Sequence, residues 1–350
     1  MRVGNRHYRS LEVAADGWAI VIVDQTRIPA EFAQARLETL ADVAGAIRTM
    51  RVRGAPLIGV AAAYGVCLAL RHDPGDRSLE AACHALASTR PTAVNLQWAL
   101  ERMRATLVEV APRDRIETAY RLAGKLADED VAICERIGLH GERLLRDLAH
   151  RKPGQPLQVL THCNAGWLAT IDWGTALAPV YRAHDAGLPV HVWVSETRPR
   201  NQGRLTAWEL GQHGVPHTLI VDSACGLLLT RGSVDVVLVG TDRTTRTGDV
   251  ANKVGTYLKA LAAREAGVPF YVALPSPSID WDLARGEDIP IEERAPEEVA
   301  DEMPVHNPGF DVTPARLVTG LITERGVCEA SEQGLRSLFP SPGVRSGRGR

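Results

Sequence analysis

The sequence lacks the features that mark secreted and membrane proteins. Its first residues, MRVGNRHYRSLEV, contain no apolar segment of the kind found in signal peptides. The longest apolar run, from Pro56 to Leu70, has fifteen residues, whereas a membrane-spanning helix needs about 20. We therefore expect this run to form a buried helix, and we expect no membrane partner.

The sequence also lacks paired cysteines. The spacing contains no CxxC motif, which argues against a disulfide framework and against a zinc ribbon. We therefore expect a reducing, cytoplasmic location and no metal ligands, with most of the thiols packed as small core side chains. The six cysteines are Cys67, Cys83, Cys134, Cys163, Cys225 and Cys328.

An excess of charge is missing as well. Forty Lys and Arg residues against 42 Asp and Glu residues give a formal net charge of -2, which does not favour nucleic acid as a partner. The final segment, SPGVRSGRGR, predicts a disordered tail over residues 336–350; a nucleic-acid-binding arm is the less favoured alternative. Neither GxGxxG after a strand nor GxxxxGK[ST] occurs, so a nucleotide cofactor is not expected.

The patterning of apolar residues divides the chain into two domains. Residues 1–150 read as a mostly helical domain, with a small β element at Trp18–Pro29 and helical patterning from Glu31 to Leu148. The stretch from Ile116 to Leu148 has the three- and four-residue apolar spacing of an amphipathic helix. A linker, RKPGQP, then leads into a second domain over residues 151–335.

The second domain alternates short β-rich runs with helical segments. Gly-x-Pro precedes three of these runs, where glycine ends a helix in a left-handed cap and proline prevents its continuation. Apolar strands that alternate with helices predict a Rossmann-like, doubly wound parallel sheet, and the fold class is therefore α/β. The predicted strands are Leu157–Leu160, Val190–Val194, Thr218–Val221, Val234–Val239 and Phe270–Leu274.

Polar residues follow four of the predicted strands. In open parallel sheets, ligands bind beyond the carboxyl ends of the strands. THCNAG, SETRPRNQ, Asp222-Ser223 and GTDR would therefore bring a thiol, carboxylates, guanidinium groups and amides to one edge. Loop residues that merely cap helices are the alternative for any single position, but several in one layer indicate a site.

Two further segments have the pattern of phosphate-binding loops. Gly248–Lys253 is predicted to open a helix with Val250, Val254, Leu258 and Leu261 on its apolar face, so that backbone donors and Lys253 form an anion site. An N-cap at Asp249 with a solvated Lys253 is the alternative. Arg53-Gly54-Ala55-Pro56 precedes the buried helix, where Gly54 allows close approach of the backbone.

Several of these strings together resemble one family. RGAPLIGVAAAYG, THCNAG, ETRPRNQGRLTAWEL, GTDRTTRTGDVANKVGTYLKALAA and FDVTPA are similar to the family of methylthioribose 1-phosphate isomerases, archaeal ribose 1,5-bisphosphate isomerases and regulatory subunits of translation initiation factor 2B. The resemblance covers about residues 15–335 and is greatest to the first group. It implies a homodimeric, cytoplasmic aldose–ketose isomerase of methionine salvage that acts on a small phosphorylated sugar without a cofactor.

The resemblance also implies roles for individual residues. It places the catalytic cysteine at Cys163 and the catalytic aspartate at Asp242. The implied substrate contacts are Arg53, Gly54, Ala55, Arg90, Gln202, Asn252 and Lys253. The chain departs from the family at Ser195, where an acidic residue is common, and at Leu227, where a histidine is frequent.

The implied reaction leaves alternatives open. Asp242 would protonate the ring oxygen, and a Cys163 thiolate would move the C2 proton to C1; a direct hydride shift is the competing scheme. The strings around Ile171-Asp172-Trp173 and Pro275-Ser276-Pro277 also resemble a subgroup whose members can favour 5-deoxyribose 1-phosphate. A regulatory protein that binds a phosphosugar without turnover is the alternative from another class, and ribose 1,5-bisphosphate is disfavoured because no second cationic cluster is evident.

Overall fold

The structure is a computed structural model that describes residues 1–340. Its first half holds two small sheets and five helices, in agreement with the prediction of a mostly helical N-terminal region. The strands are β1 Arg2–Val3, β2 Arg6–His7, β3 Leu11–Val13, β4 Ile20–Val23 and β5 Gln34–Leu37; the helices are α1 Leu40–Arg48, α2 Ala55–His72, α3 Asp76–Ala87, α4 Val94–Leu107 and α5 Pro112–Ala149.

The predicted buried helix is confirmed as α2. Gly54 precedes it with a φ of 98°, and Pro56 occupies its first turn, where a missing N–H costs nothing. Within the described residues, α2 is the one helix with the length and composition to cross a membrane, but 78% of that window is buried inside the protein. Helices α3, α4 and α5 cover α2, so its apolar surface forms the core of this half.

The predicted β element is confirmed in part. Strand β4 lies within Trp18–Pro29, but its partners β3 and β5 lie outside that range. The expectation of helical structure from Glu31 was wrong, because Gln34–Leu37 pairs antiparallel with β4, with Leu37 opposite Ile20. A Thr39–Asp42 capping box then begins α1.

The second half is built on a seven-stranded sheet that contains all five predicted strands. Its elements in chain order are β6 Leu157–Thr161, α6 Leu177–Asp185, β7 Val190–Ser195, α7 Gly203–His213, β8 His217–Ile220, α8 Ala224–Thr230 and β9 Val236–Val239. After them come β10 Arg243–Thr245, β11 Val250–Lys253, α9 Thr256–Glu265, β12 Phe270–Ala273, β13 Ile279–Asp280, β14 Phe310–Thr313, β15 Gly320–Thr323, β16 Gly326–Cys328 and α10 Glu332–Leu338.

The strand order of this sheet is β16-β15-β12-β9-β6-β7-β8. All neighbours are parallel except β16, which is antiparallel to β15. From β8 to β15 the order is 3-2-1-4-5-6 of a doubly wound fold. Strands β7 and β8 are added on one side of β6, and strands β9, β12 and β15 are added on the other side. The predicted parallel α/β sheet is therefore confirmed, and its switch point lies between β6 and β9.

One predicted helix is wrong. Val250–Lys253 does not open a helix: it is the strand β11, paired antiparallel with β10 and β14 in a second, four-stranded sheet of order β13-β10-β11-β14. All four of its residues are buried, and α9 begins only at Thr256, after Gly255 in a left-handed conformation. The apolar spacing that suggested a helix therefore spans a strand–helix junction.

The end of the chain differs slightly from the predicted boundary. Helix α10 extends to Leu338, so its last three residues lie inside the segment predicted as a tail. Residues 339 and 340 follow the helix, and the last ten residues of the predicted tail, 341–350, lie outside the described residues.

Candidate active site

The nine site residues implied by the family resemblance all line one cleft at the switch point. The empty volume of this cleft is about 770 Å³, part of which is open to solvent, a size suited to a small ligand. Its walls come from the loops after β6, β7 and β9, from β11, and from the two loops that precede α2 and α4. The nine residues are Arg53, Gly54, Ala55, Arg90, Cys163, Gln202, Asp242, Asn252 and Lys253.

Cys163 lies two residues beyond the end of β6 and has a φ of 67°. This left-handed conformation is costly for a residue with a Cβ. Two threonines hold the peptide there: the Cys163 N–H donates to Oγ1 of Thr197 at 2.9 Å, and the Cys163 carbonyl accepts from Oγ1 of Thr206 at 2.8 Å. The backbone thus fixes the direction of a half-buried thiol.

The electrostatic surroundings of Cys163 favour the neutral thiol. Burial raises the pKa of Cys163, while Arg53 and Lys253 oppose the rise and Asp242 adds to it. The two cations therefore supply the stabilisation that a thiolate needs when it forms.

Asp242 follows β9, the neighbour of β6 in the sheet. Its N–H donates to the carbonyl of Ala251 on β11 at 3.0 Å, and within the described residues its carboxyl group makes no hydrogen bond. Burial raises the pKa of Asp242 to about 6, against the opposing effects of Arg90, Lys253 and Arg53. About a tenth of the carboxyl groups are therefore protonated at pH 7, which is what a general acid requires.

Arg53 connects the N-terminal half to the loop after β6. Its Nη2 donates to Oδ1 of Asn164, the residue after Cys163, and its Nε is buried without a hydrogen-bond partner among residues 1–340. At Gly54 a Cβ atom would lie 2.5 Å from Cα of Ala169. Only glycine therefore lets the backbone before α2 approach the loop after β6 this closely.

Three more of the implied contacts, the side chains of Asn252, Gln202 and Lys253, differ in their surroundings. Asn252 Nδ2 donates to Oγ1 of Thr256 at 3.1 Å. Gln202 Oε1 is buried and has no hydrogen-bond partner within the described residues. Lys253 is buried on β11, so the expectation of a lysine in the first turn of a helix was wrong, although its position at the cleft is as expected.

Glu209 was not identified from the sequence, although it supports the loop after β6 that contains Cys163. It lies on α7 and is completely buried. Its Oε1 accepts from Asn164 Nδ2 at 2.6 Å and from the Leu168 N–H at 3.3 Å, and its Oε2 accepts from the Trp167 N–H at 2.8 Å and Tyr181 Oη at 3.0 Å. The glutamate in the string RLTAWEL was the available signal.

Two cleft arginines were not named among the implied substrate contacts. Arg200 and Arg294 line the same cleft. Arg200 was visible in the string ETRPRNQ that follows β7, but Arg294 lies in a segment without a recognisable motif. Among residues 1–340, no group of three His, Cys, Asp or Glu side chains is arranged to hold a metal ion.

The departures from the family pattern lie away from the cleft. Ser195 is buried and donates a hydrogen bond from Oγ to Asp222, while His162 Nδ1 lies 3.1 Å from the same Oγ. Leu227 is exposed on α8. Four of the other cysteines, Cys67, Cys83, Cys134 and Cys225, are buried, as expected of packing residues, and Cys328 is half-buried.

The fold and this cleft define the class of protein. The chain belongs to the Initiation factor 2 subunit family, whose model matches residues 51–330. Over its full length it is similar to the methylthioribose-1-phosphate isomerase of Rhodospirillum centenum, with 58% identity that covers 100% of this chain and 99% of the relative.

Two solved structures share the architecture. The 5-methylthioribose 1-phosphate isomerase from Pyrococcus horikoshii OT3 is 40% identical, covers 95% of this chain and 96% of its own, and superposes with a TM-score of 0.84. The translation initiation factor eIF-2B, subunit delta, from A. fulgidus is also 40% identical, covers 95% and 99%, and has a TM-score of 0.80.

Proposed function

We propose that this chain is an aldose–ketose isomerase that converts 5-methylthioribose 1-phosphate into 5-methylthioribulose 1-phosphate. The observation that carries the proposal is the pairing, in one cationic cleft, of the Cys163 thiol with the Asp242 carboxyl group, whose pKa is raised to about 6. The full-length similarity to proteins named for this reaction supports it.

The substrate dictates what the two groups must do. Its phosphate is on the anomeric oxygen, so the ring does not open to a free aldehyde. In the first step, the Cys163 thiolate takes the proton from C2 and a C1=C2 double bond forms. The bond between C1 and the ring oxygen breaks, and the ring oxygen takes the proton of Asp242.

The second step restores both groups. The enol hydroxyl at C2 gives its proton to the Asp242 carboxylate and becomes the ketone, while C1 receives the proton held by Cys163. The hydrogen has then moved from C2 to C1, Asp242 is again protonated and Cys163 is again a thiolate. The sequence of steps is redox-neutral and consumes no co-reactant.

The cations of the cleft suit the phosphate. Arg53 and Arg90 offer forked donors and Lys253 offers a point charge. Burial lowers the pKa of Arg53 and that of Lys253, so each has an unmet demand for a counter-ion that a phosphate dianion satisfies. Oε1 of Gln202, which has no partner among residues 1–340, can accept a hydrogen bond from a sugar hydroxyl.

The test is phosphorus NMR of the purified protein with 5-methylthioribose 1-phosphate and, separately, with 5-deoxyribose 1-phosphate. We expect the anomeric phosphate signal to be replaced by that of a primary phosphate ester. The relative rates name the preferred sugar, since the two sugars differ only by a methylthio group in place of a hydrogen at C5, and a small apolar group in a pocket contributes only about 1–3 kcal/mol to discrimination. No conversion of either sugar by the folded protein would favour a phosphosugar-binding regulatory protein.

A second measurement separates the two schemes for hydrogen transfer. In deuterium oxide, proton transfer through Cys163 incorporates solvent deuterium at C1 to the extent that the thiol exchanges its proton. A direct hydride shift incorporates none at any exchange rate. The proposal expects deuterium at C1 of the product, in an amount that increases with the rate of thiol exchange relative to turnover.

We also place the reaction in methionine salvage within the cytoplasm, in a homodimer. The six free cysteines support a reducing compartment. A dimer is supported by exposed apolar side chains on two helices in contact, α8 and α9, where Leu227 is 50% and Leu258 is 68% exposed. We expect a dimer by light scattering and a shift toward monomer in Leu258→Glu; an unchanged mass in that variant would exclude this face.

A further inference from the structure

Two arginines of the cleft converge on one carboxylate. Oε2 of Glu292 accepts hydrogen bonds from Nε and Nη2 of Arg90 at 3.2 and 3.0 Å, and Oε1 accepts from Nη1 of Arg294 at 2.6 Å. All three side chains are less than 20% exposed. Arg90 and Arg294 line the cleft, so Glu292 joins two cations that face the same space.

The pairing continues along the edge of the cleft. Nη2 of Arg294 donates to Oε1 of Glu298 at 2.6 Å, and Nη1 of Arg200 donates to the same oxygen at 2.8 Å. We call this series, in order Arg90, Glu292, Arg294, Glu298 and Arg200, the arginine ladder. Three cations against two anions leave it with one net positive charge beside the cleft.

The glutamates of the ladder lie on a hairpin that is closed at its base. The Gly309 N–H donates to the Glu292 carbonyl at 2.7 Å, and the Arg294 N–H donates to the Asn307 carbonyl at 2.9 Å. We call residues 292–309 the ladder hairpin. It leads directly into β14, where Phe310 pairs with Lys253 of β11. The backbone of Glu292 is therefore anchored to the strand that carries the buried lysine of the cleft.

This anchoring fixes Arg90 before any ligand arrives. Arg90 lies in the loop between α3 and α4, far from the hairpin in sequence, and uses Nε and Nη2 on Glu292. Its Nη1 makes no hydrogen bond within the described residues. A free arginine side chain loses rotamer freedom when a ligand immobilises it, and the Glu292 carboxylate has already imposed that order.

We propose that Glu292 is a positioning residue that holds Arg90 and Arg294 side by side to receive the phosphate group of the substrate. The proposal rests on the proposed function for the identity of the substrate. It assigns Arg294 as a further phosphate contact, and among the hairpin residues it gives a role in binding to Glu292 and Arg294 only.

The variant Glu292→Gln tests this because it changes hydrogen-bonding capacity at constant shape. A carboxylate accepts at both oxygens, whereas glutamine accepts at one and donates at the other. Since Arg90 and Arg294 are both donors, one of the two contacts is lost. We expect KM to rise about tenfold, with kcat within a factor of about three.

The matched control is Glu297→Gln. Glu297 is exposed on the same hairpin and makes no hydrogen bond or ion pair in the described part of the chain. This variant removes the same charge without touching an arginine of the cleft, so KM should change less than about twofold. If Glu292→Gln lowers KM, Glu292 is merely a competitor for the phosphate and the positioning role is overturned.

A double-mutant cycle shows whether Glu292 acts through Arg90. Arg90→Ala alone should raise KM, and adding Glu292→Gln should then raise it by less than it does in the unmodified protein. Equal effects in both backgrounds would overturn the proposal. Glu292→Asp, which keeps both acceptors on a shorter side chain, should give an intermediate KM and provides the test if Glu292→Gln does not fold.

Binding of inorganic phosphate, measured by titration calorimetry, makes the result independent of turnover. We expect about tenfold weaker binding in Glu292→Gln and unchanged binding in Glu297→Gln. If the unmodified protein fails to isomerise the sugar, but Glu292→Gln binds phosphate more weakly than Glu297→Gln does, the proposed function fails and the positioning role stands. If it isomerises the sugar and the two variants bind phosphate equally, only the positioning role fails.

Discussion

The Arg53 guanidinium donates a hydrogen bond to Oδ1 of Asn164, and this contact joins the loop before α2 to the loop after β6. Asn164 in turn donates through Nδ2 to Glu209 at 2.6 Å and to Thr206 at 3.1 Å. A cation from the N-terminal half is thereby fixed beside the residue that follows Cys163.

Removal of either proposed catalytic group should abolish turnover. We expect Cys163→Ala and Asp242→Asn each to lower kcat by about 10²–10⁴-fold, the usual contribution of a positioned acid or base, while substrate binding persists. Rates are followed by phosphorus NMR and binding by calorimetry. Cys328→Ala, at a half-buried cysteine on β16 outside the cleft, is the control and should remain active. Retained activity in either site variant contradicts the assigned role.

The pH dependence of kcat/KM follows from the raised pKa values. Asp242, with a pKa of about 6, must be protonated, and Cys163, whose pKa is raised above its ordinary value, must be ionised. Below about pH 6 the rate then rises with pH as thiolate forms. Above pH 6 the gain in thiolate offsets the loss of protonated Asp242, and the rate is level until the thiol itself is titrated.

The competing hydride shift needs a protonated Asp242 but no thiolate, so its rate falls as the pH rises above 6. A profile that falls from pH 6 to 8 would therefore contradict proton transfer through Cys163. Because a phosphate monoester also ionises near pH 6, the inhibition constant of inorganic phosphate is measured over the same range as the control.

Glycine at position 54 should be required for both stability and activity. Gly54→Ala combines a positive φ with a Cβ 2.5 Å from Cα of Ala169, and we expect it to lower the free energy of unfolding by about 2–4 kcal/mol. Gly17 also has a positive φ, of 80°, but nothing lies near its Cβ position. Gly17→Ala therefore measures the backbone cost alone, about 1 kcal/mol.

Urea unfolding of the two glycine variants gives the contribution of the close approach as a difference. Gly54→Ala should also lose activity, because Arg53 would separate from the loop after β6. Gly17→Ala should keep its activity. Equal stability losses in the two variants would show that the contact with Ala169 is not constrained.

The buried carboxylate of Glu209 should be irreplaceable by an amide. Both of its oxygens accept hydrogen bonds from donors, and a glutamine would leave the donors on one side unpaired at about 1–3 kcal/mol. We expect Glu209→Gln to lower both the free energy of unfolding and kcat, since the loop after Cys163 loses its support. Tyr181→Phe removes one donor only and should have the smaller effect; the reverse order would contradict this assignment.

The sequence by itself determined five strands of the main sheet and nine of the residues that line the cleft. Short apolar runs, three of them preceded by Gly-x-Pro, predicted five parallel strands, because those features act locally along the chain. The motif resemblance supplied nine residues that the fold indeed brings to one cleft. The apolar run from Pro56 to Leu70 was also sufficient to predict α2.

Only the tertiary structure decided how Val250–Lys253 and Gln34–Leu37 are arranged, since a strand exists through partners that are distant in sequence. The same reason applies to the arginine ladder. Arg90 and Glu292 are separated by 202 residues, and no local pattern marks either as the partner of the other. The sequence determined which chemical groups are present, and long-range packing decided which of them form ion pairs and which line the same cleft.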